Sequence, residues 1–113
     1  MELINKTAIV TGAAGGIGQA IIAKLREQGA KVLAVDISEQ SLQMYASFGS
    51  KQLETFVADV TDYQQVEAMV RYAVEQFGSL DIMVNNAGIG APKPLLEHDP
   101  IADFEPISKV NQN

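Results

Sequence analysis

The sequence predicts an α/β fold in which short parallel strands alternate with helices, and two observations lead to this expectation. A pattern recurs about every 25 residues: a short apolar run, a polar or glycine break, and a helical stretch closed by glycine. The apolar runs are rich in Val, Ile and Leu and largely continuous, which is typical of strands buried on both faces. These runs cover residues 7–10, 31–35, 53–58 and 80–84.

The first two segments between these runs have helical periodicity. An apolar repeat of four residues extends from Ile17 to Leu25, and Gly29 is placed to end that helix. The second helix is expected to begin after Ser38 as its N-cap and to end at Gly49. The apolar face of this second helix holds Leu42 and Tyr45.

The third segment has the clearest helical pattern. Thr61 and Gln64 have the spacing of a capping box at its start, and Gly78 follows its end. A fourth helix is expected over residues 101–113, where Pro106 must lie in a first turn or break the helix. The apolar stripe of the third helix consists of Val66, Val70, Ala73, Val74 and Phe77.

Strand–helix alternation with short loops implies a parallel sheet that is covered by helices on both faces. Because such crossovers are right-handed, the four strands should lie in the order 3-2-1-4, as half of a Rossmann-type doubly wound sheet. We expect residues 1–113 to form one domain of this type. Its ligand site should lie at the carboxyl ends of strands 1 and 4, where the strand order reverses.

Composition and charge exclude several classes of protein. Apolar residues make up 47% and charged residues 19%, which are globular values. The net charge is −6 and the eight Lys and Arg residues are scattered, so no basic patch for nucleic acid is expected. The longest apolar stretches are strand-sized, and the first residues do not resemble a signal peptide. We therefore expect a cytoplasmic protein that binds neither nucleic acid nor a membrane.

No metal site is expected from the sequence. There is no cysteine, so a disulfide frame and a Cys-based metal site are both impossible. His98 is the only histidine, and although it could ligate a metal, a single loop histidine is more often solvated.

The segment after strand 1 is rich in glycine. Gly12 can take the sharp turn into the helix, Gly16 leaves room for phosphates, and Gly18 lets the helix pack closely on the sheet. The free N–H groups and the dipole at the helix start would then hold a pyrophosphate without any lysine. The alternative is a glycine-rich turn that binds nothing, but the position between a strand and a helix favours phosphate binding.

Strand 2 ends at Asp36, eighteen residues after Gly18. A carboxylate there can accept hydrogen bonds from both hydroxyls of an adenosine ribose, and its charge would repel a 2′-phosphate. No Lys or Arg stands close by to bind such a phosphate, so the expected cofactor is NAD(H) rather than NADP(H). In the alternative interpretation, Asp36 only caps the next turn.

Strands 3 and 4 also end in polar residues. Asp59 could accept a hydrogen bond from an adenine amino group or could help to cap the next helix. Asn85 and Asn86 need polar partners if they are buried, while the small Ala87 and Gly88 would let a ligand lie against the backbone. An ordinary asparagine-rich turn explains residues 85–88 equally well.

Together these features resemble the short-chain dehydrogenase/reductase family. The pattern Thr11-Gly12-x-x-x-Gly16-x-Gly18 is similar to the glycine motif of that family, and Asn85-Asn86-Ala87-Gly88 is similar to its second signature. The resemblance implies that Asn85 joins neighbouring strands. The residues it assigns to the cofactor are Gly12, Gly16, Ile17, Gly18, Asp36, Ile37, Asp59, Val60, Asn86, Ala87 and Gly88.

The resemblance also implies hydride transfer between a nicotinamide and an alcohol or ketone, and a homo-oligomeric assembly. Asn111 is similar to the first member of the family's catalytic Asn-Ser-Tyr-Lys set. The family's tyrosine has a lysine four residues later, but Gly49, Glu67 and Gln76 follow the three tyrosines here at that distance. We therefore expect this chain to be the cofactor-binding part of an oxidoreductase and to be inactive on its own. The alternative is a non-catalytic nucleotide-binding or interaction module.

The end of the chain falls inside the fourth expected helix. Without a fifth strand beside it, strand 4 would have an open edge and bare apolar surface. The 113 residues are therefore expected to form a domain that is incomplete at its C-terminus.

Overall fold

The structure is a computed structural model that describes residues 2–48 and 51–87. All four predicted strands and the first three predicted helical segments lie in this part, and the structure contains each of them. In chain order the elements are β1 (Thr7–Thr11), α1 (Gly16–Glu27), β2 (Lys31–Asp36), α2 (Glu39–Leu42), a 3₁₀ helix (Gln43–Phe48), β3 (Leu53–Val57), α3 (Tyr63–Phe77) and β4 (Ile82–Val84).

The four strands form one parallel sheet in the order β3-β2-β1-β4. In the centre, Val10 of β1 lies between Ala34 of β2 and Val84 of β4. The predicted order 3-2-1-4 and the α/β class are therefore confirmed. Because the chain moves outward from β1 in both directions, the carboxyl ends of β1 and β4 border the point where the order reverses.

The core lies on both faces of the sheet. Every residue of β1 is buried, as predicted for a strand with helices on either side. Since neighbouring side chains of a strand point to opposite faces, Val10 packs with Ile22 of α1, whereas Ile9 packs with Met69 and Phe77 of α3.

Glycine ends two helices where the sequence indicated. Gly29 has a φ of +96° and follows the last turn of α1, and Gly78 has a φ of +91° directly after α3. Both angles lie in the left-handed region, which glycine adopts without the steric penalty of a Cβ.

The second helical segment differs from the prediction of one continuous helix. Ser38 is its N-cap as expected, since its Oγ accepts a hydrogen bond from the backbone N–H of Ser41 at 3.2 Å. The α-helix then covers only four residues before it tightens into the 3₁₀ helix. Leu42, the last residue of α2, and Tyr45, in the 3₁₀ helix, are both buried in the same core cluster, as the sequence pattern predicted. The predicted stop at Gly49 lies outside the described residues.

The start of α3 also corrects the sequence prediction, because Thr61 and Gln64 do not form a capping box. Asp62 is the N-cap, and its Oδ1 accepts hydrogen bonds from the backbone N–H groups of Gln64 and Gln65 at 2.9 and 3.4 Å. The Thr61 hydroxyl donates instead to Oδ1 of Asp59 at 2.7 Å. The predicted stripe is largely confirmed, although one member, Val74, is 42% exposed.

Within the described residues, no helix has the length and apolar character needed to cross a membrane. The fourth helix predicted over residues 101–113, with Pro106, lies outside the described residues.

The cap of α3 can be tested by substitution. We expect Asp62→Ala to lower the free energy of unfolding by about 1 kcal/mol, because two helix-start N–H groups lose their acceptor. Thr61→Ala serves as the control, and we expect a change below about 0.5 kcal/mol because its side chain lies outside the helix. Urea unfolding followed by circular dichroism measures both. A larger loss for Thr61→Ala than for Asp62→Ala would contradict this assignment of the cap.

Candidate functional site

The turn after β1 passes directly against the end of β4. Gly12 has a φ of +62°, and a Cβ at this position would lie 3.0 Å from the Cα of Ala87. Both the left-handed backbone and the close approach favour glycine. The turn thereby brings the polar ends of two non-consecutive elements into contact.

Helix α1 packs closely against the same turn. A Cβ on Gly18 would lie only 2.2 Å from the carbonyl oxygen of Gly12 and 2.9 Å from the Cα of Ala13. The contact that requires Gly18 is therefore with the turn itself rather than with the strands. Gly16, in contrast, has no atom within 4 Å of an added Cβ, so it faces open space.

The start of α1 has the features of an anion site. Its N-cap, Gly15, offers no side chain to the helix start, and no acidic residue lies in the first turn. The first N–H groups of a helix have no partner inside the helix, and they carry a partial positive charge. They border a cavity of about 380 Å³ that is lined by Gly12, Gly15, Gly16, Ile17, Asp36, Asn86 and Ala87.

A second cavity of about 380 Å³ lies at the ends of β2 and β3. Gly12, Asp36 and Ala87 line both cavities, so the two adjoin at the switch point of the sheet. The other residues that line the second cavity are Val35, Ile37, Ala58, Asp59, Val60 and Thr61.

Asp36 joins the end of β2 to the glycine turn. Its Oδ2 accepts a hydrogen bond from the backbone N–H of Ala14 at 3.0 Å, and its Oδ1 accepts one from Ser38 at 3.2 Å. The side chain is only partly buried, and an ionised carboxylate has about four lone-pair sites. Asp36 can therefore accept further hydrogen bonds from the cavity side.

Asp59 lines the second cavity, and its carboxylate is held in place by hydrogen bonds. Its Oδ1 accepts hydrogen bonds from both the hydroxyl and the backbone N–H of Thr61, at 2.7 and 2.9 Å. These two bonds hold the pKa of Asp59 below its usual range, and the bond from the hydroxyl has the larger effect. The carboxylate is therefore ionised at neutral pH.

Thr11 and Asn86 connect the ends of β1 and β4. The Thr11 hydroxyl accepts hydrogen bonds from the backbone N–H groups of Asn86 and Ala87 at 2.8 and 3.1 Å. Its own proton is directed to the carbonyl of Val84 and to Oδ1 of Asn85, at 3.3 and 3.2 Å. Asn86 in turn donates from Nδ2 to the carbonyl oxygen of Gly12 at 3.2 Å. The two strand ends are thus fixed relative to each other.

One buried acceptor beside this connection has no partner among the described residues. Asn86 is 6% exposed, and its Oδ1 has no hydrogen bond there. An unsatisfied buried acceptor costs about 1–3 kcal/mol. Asn86 lines the first cavity, but this oxygen itself has almost no accessible surface.

The chain matches one known protein family. The family model described as short chain dehydrogenase matches residues 6–113, which is nearly the whole chain. The chain belongs to the short-chain dehydrogenase family.

Individual relatives agree with this membership. The chain is 42% identical to 3beta-hydroxysteroid dehydrogenase 2 of Eggerthella lenta, over 98% of this chain and 44% of that protein. A solved glucose/ribitol dehydrogenase of this family from Brucella melitensis is 35% identical, with a TM-score of 0.74, and matches 98% of this chain and 47% of its own. This chain therefore spans less than half the length of these relatives.

A more distant structure bears on the cofactor. The C-domain of a bacterial malonyl-CoA reductase, solved with NADP, is 26% identical with a TM-score of 0.66, over 76% of this chain and 15% of that one. Similar folds therefore accommodate the phosphorylated dinucleotide, and the fold alone does not decide between NAD(H) and NADP(H).

The structure brings most of the predicted site residues of this family member to one edge of the sheet. Apart from Gly18, which is buried under the turn, those that lie in the described part line one or both cavities. Asn85 is exposed and contacts Thr11, which agrees with the strand-joining role that the resemblance implies. Gly88 and Asn111 lie outside the described residues.

Sequence reasoning missed three residues of this site. Thr11 appeared only as a member of the glycine motif, although it carries the hydrogen bonds between β1 and β4. Tyr45 was interpreted as a core residue only, and Gln19 was not singled out, yet both contact the backbone of the glycine turn. A threonine before the first glycine was a usable signal, whereas the other two contacts have no sequence pattern.

Gly18 and Gly16 provide a matched pair of substitutions in the turn. We expect Gly18→Ala to lower the free energy of unfolding by about 1–3 kcal/mol, because its Cβ meets backbone atoms that cannot rotate away. Gly16→Ala should leave the stability unchanged or raise it slightly, since its Cβ enters open space in a helix. Urea unfolding measures both, and equal losses in the two variants would contradict the packing described here.

Proposed function

We propose that this chain is the cofactor-binding part of an NAD(H)-dependent oxidoreductase that transfers hydride between a nicotinamide and an alcohol or ketone carbon. The observation that carries the proposal is the Asp36 carboxylate, which lines both cavities at the switch point. Among the described residues, no Lys or Arg lines either cavity. A negative charge without a neighbouring cation favours a free ribose hydroxyl over a 2′-phosphate.

The residues present fit a dinucleotide. The N–H groups at the start of α1 suit the pyrophosphate, which explains anion binding in a chain with a net charge of −6. Gly12 lines both cavities without a side chain, and Gly16 has open space where a Cβ would lie, which leaves the backbone of the turn open to the ligand. Asn86 lines the same cavity as the start of α1.

The second cavity suits the adenosine end of the cofactor. The free lone pairs of Asp36 would accept the ribose hydroxyls, and the ionised Asp59 would accept the adenine amino group. The side chain of Ile37 is 66% exposed at this cavity and would cover an adenine face, next to Val60. Gly88 would extend the cofactor contacts beyond Ala87, as the family resemblance implies.

The nicotinamide, when bound, would supply or accept the hydride. The chain's own residues would bind and orient the cofactor, and Asn111 would help to hold a water molecule in the proton relay. No tyrosine of the chain has a lysine four residues later, so we expect no NADH oxidation by these 113 residues alone. Steroid alcohols are one substrate class suggested by the name of the Eggerthella lenta relative.

The ribose assignment can be tested by titrating the 113-residue chain with NADH and with NADPH, followed by cofactor fluorescence. We expect tighter binding of NADH. Asp36→Ala should weaken NADH binding about 10- to 100-fold, since hydrogen bonds to a charged group contribute about 1.5–3 kcal/mol. NADPH binding should weaken less, because its 2′-phosphate no longer faces a carboxylate.

The control for charge alone is Glu39→Gln. Glu39 lies three residues further along, carries the same charge, and lines neither of the two cavities. We expect it to change neither affinity by more than about twofold. An unchanged ratio of NADH to NADPH affinity in Asp36→Ala would show that the ribose assignment is wrong, and absence of NADH binding at millimolar concentration would refute cofactor binding by this chain.

A further inference from the structure

The peptide group between Ala13 and Ala14 is hydrogen-bonded at both ends by side chains from other elements. Its carbonyl oxygen accepts a hydrogen bond from the hydroxyl of Tyr45 at 2.5 Å. Its N–H donates to Oδ2 of Asp36 at 3.0 Å. The C=O and N–H groups point in opposite directions within one rigid plane. The peptide group therefore cannot rotate without breaking both hydrogen bonds.

The next peptide group, between Ala14 and Gly15, is fixed in the same way. Its carbonyl oxygen accepts a hydrogen bond from Nε2 of Gln19 at 2.8 Å, and its N–H donates to the carbonyl of Gly12 at 3.3 Å. Two successive peptide planes are therefore oriented immediately before α1 begins. Their carbonyl oxygens are engaged by Tyr45 and Gln19, so neither is free to turn toward an anion.

Burial and ring contacts hold the Tyr45 side chain in place. Tyr45 is 5% exposed, and its ring lies 5.7 Å from the ring of Phe48, over which the guanidinium of Arg26 lies at 5.0 Å. Burial, and then the charge of Asp36, raise the pKa of Tyr45, so its hydroxyl keeps its proton at neutral pH. The hydroxyl is therefore a permanent donor to Ala13.

We infer that Tyr45 is a positioning residue of the phosphate site: it holds the Ala13–Ala14 peptide so that the N–H groups at the start of α1 face the cofactor's pyrophosphate. Gln19 supports the same geometry from the helix surface. This role rests on the proposed function. Since Tyr45 lines neither of the two cofactor cavities, it acts through the backbone of the turn and on the phosphates common to both dinucleotides.

The test compares Tyr45→Phe with Tyr72→Phe in the full chain. Tyr72 is a matched control because its hydroxyl also donates to a distant acceptor, Oε1 of Glu54 at 3.3 Å, and it lines neither cofactor cavity. We expect Tyr45→Phe to weaken NADH and NADPH binding about 3- to 10-fold each, the effect of one net hydrogen bond. The ratio of the two affinities and the affinity for adenosine, which has no phosphate, should not change.

A second measurement does not depend on cofactor binding. Hydrogen exchange at the Ala14 amide, followed by NMR, should become faster in Tyr45→Phe and stay at the wild-type rate in Tyr72→Phe. Gln19→Met, at an exposed helix position, should weaken binding of both dinucleotides a few-fold without affecting the core. This variant keeps the proposal testable where Tyr45→Phe lowers stability.

The outcomes separate the two proposals. Unchanged Ala14 exchange in Tyr45→Phe would overturn the positioning role, and so would faster exchange with wild-type affinity for both dinucleotides. An equal loss of adenosine affinity would also overturn it, because it would show a general structural effect. If the wild-type chain binds no NADH, the proposed function fails, and the exchange rates of Ala14 still decide whether Tyr45 holds the turn.

Discussion

The site depends on the closure of two strand ends that are not consecutive in the chain. The Thr11 hydroxyl receives two backbone N–H groups from the end of β4, and Asn86 returns a hydrogen bond to the carbonyl of Gly12. Gly12 favours this close approach, because it takes a left-handed φ and has no Cβ to crowd Ala87. Gly12 and Ala87 line both cavities, so this contact forms part of the wall that the two cavities share.

The proposed binding of an anion has to be reconciled with the acidity of the chain. The long-range field of a net charge of −6 opposes an anion, so binding has to come from donors at short range. Backbone N–H groups at the start of α1 provide such donors. Their usefulness depends on the two preceding peptides pointing their carbonyl oxygens away, and side chains from α1 and the 3₁₀ helix hold those oxygens.

The sequence was sufficient for the strands, their order and the glycine turn, because these follow from local patterns and general rules of connection. The sequence was not sufficient where two neighbouring residues could play the same structural role. Asp62 and Thr61 can both cap a helix, and only the backbone geometry decides between them. The contact of Tyr45 with Ala13 spans 32 residues, so it follows from the packed fold and no local spacing indicates it.

Asp36 shows that capping the next turn does not exclude a second role for the same residue. The sequence left open whether its carboxylate accepts ribose hydroxyls or only caps the next turn. In the structure one oxygen accepts from Ser38 in that turn and the other accepts from Ala14 in the glycine turn, while Asp36 still lines both cavities and keeps lone pairs for further donors. The group proposed to select the ribose thus also orients the peptide before the phosphate site. If Asp36 acts as proposed, a substitution that changes the cofactor preference would therefore also weaken phosphate binding, unless another residue takes over the hydrogen bond to Ala14.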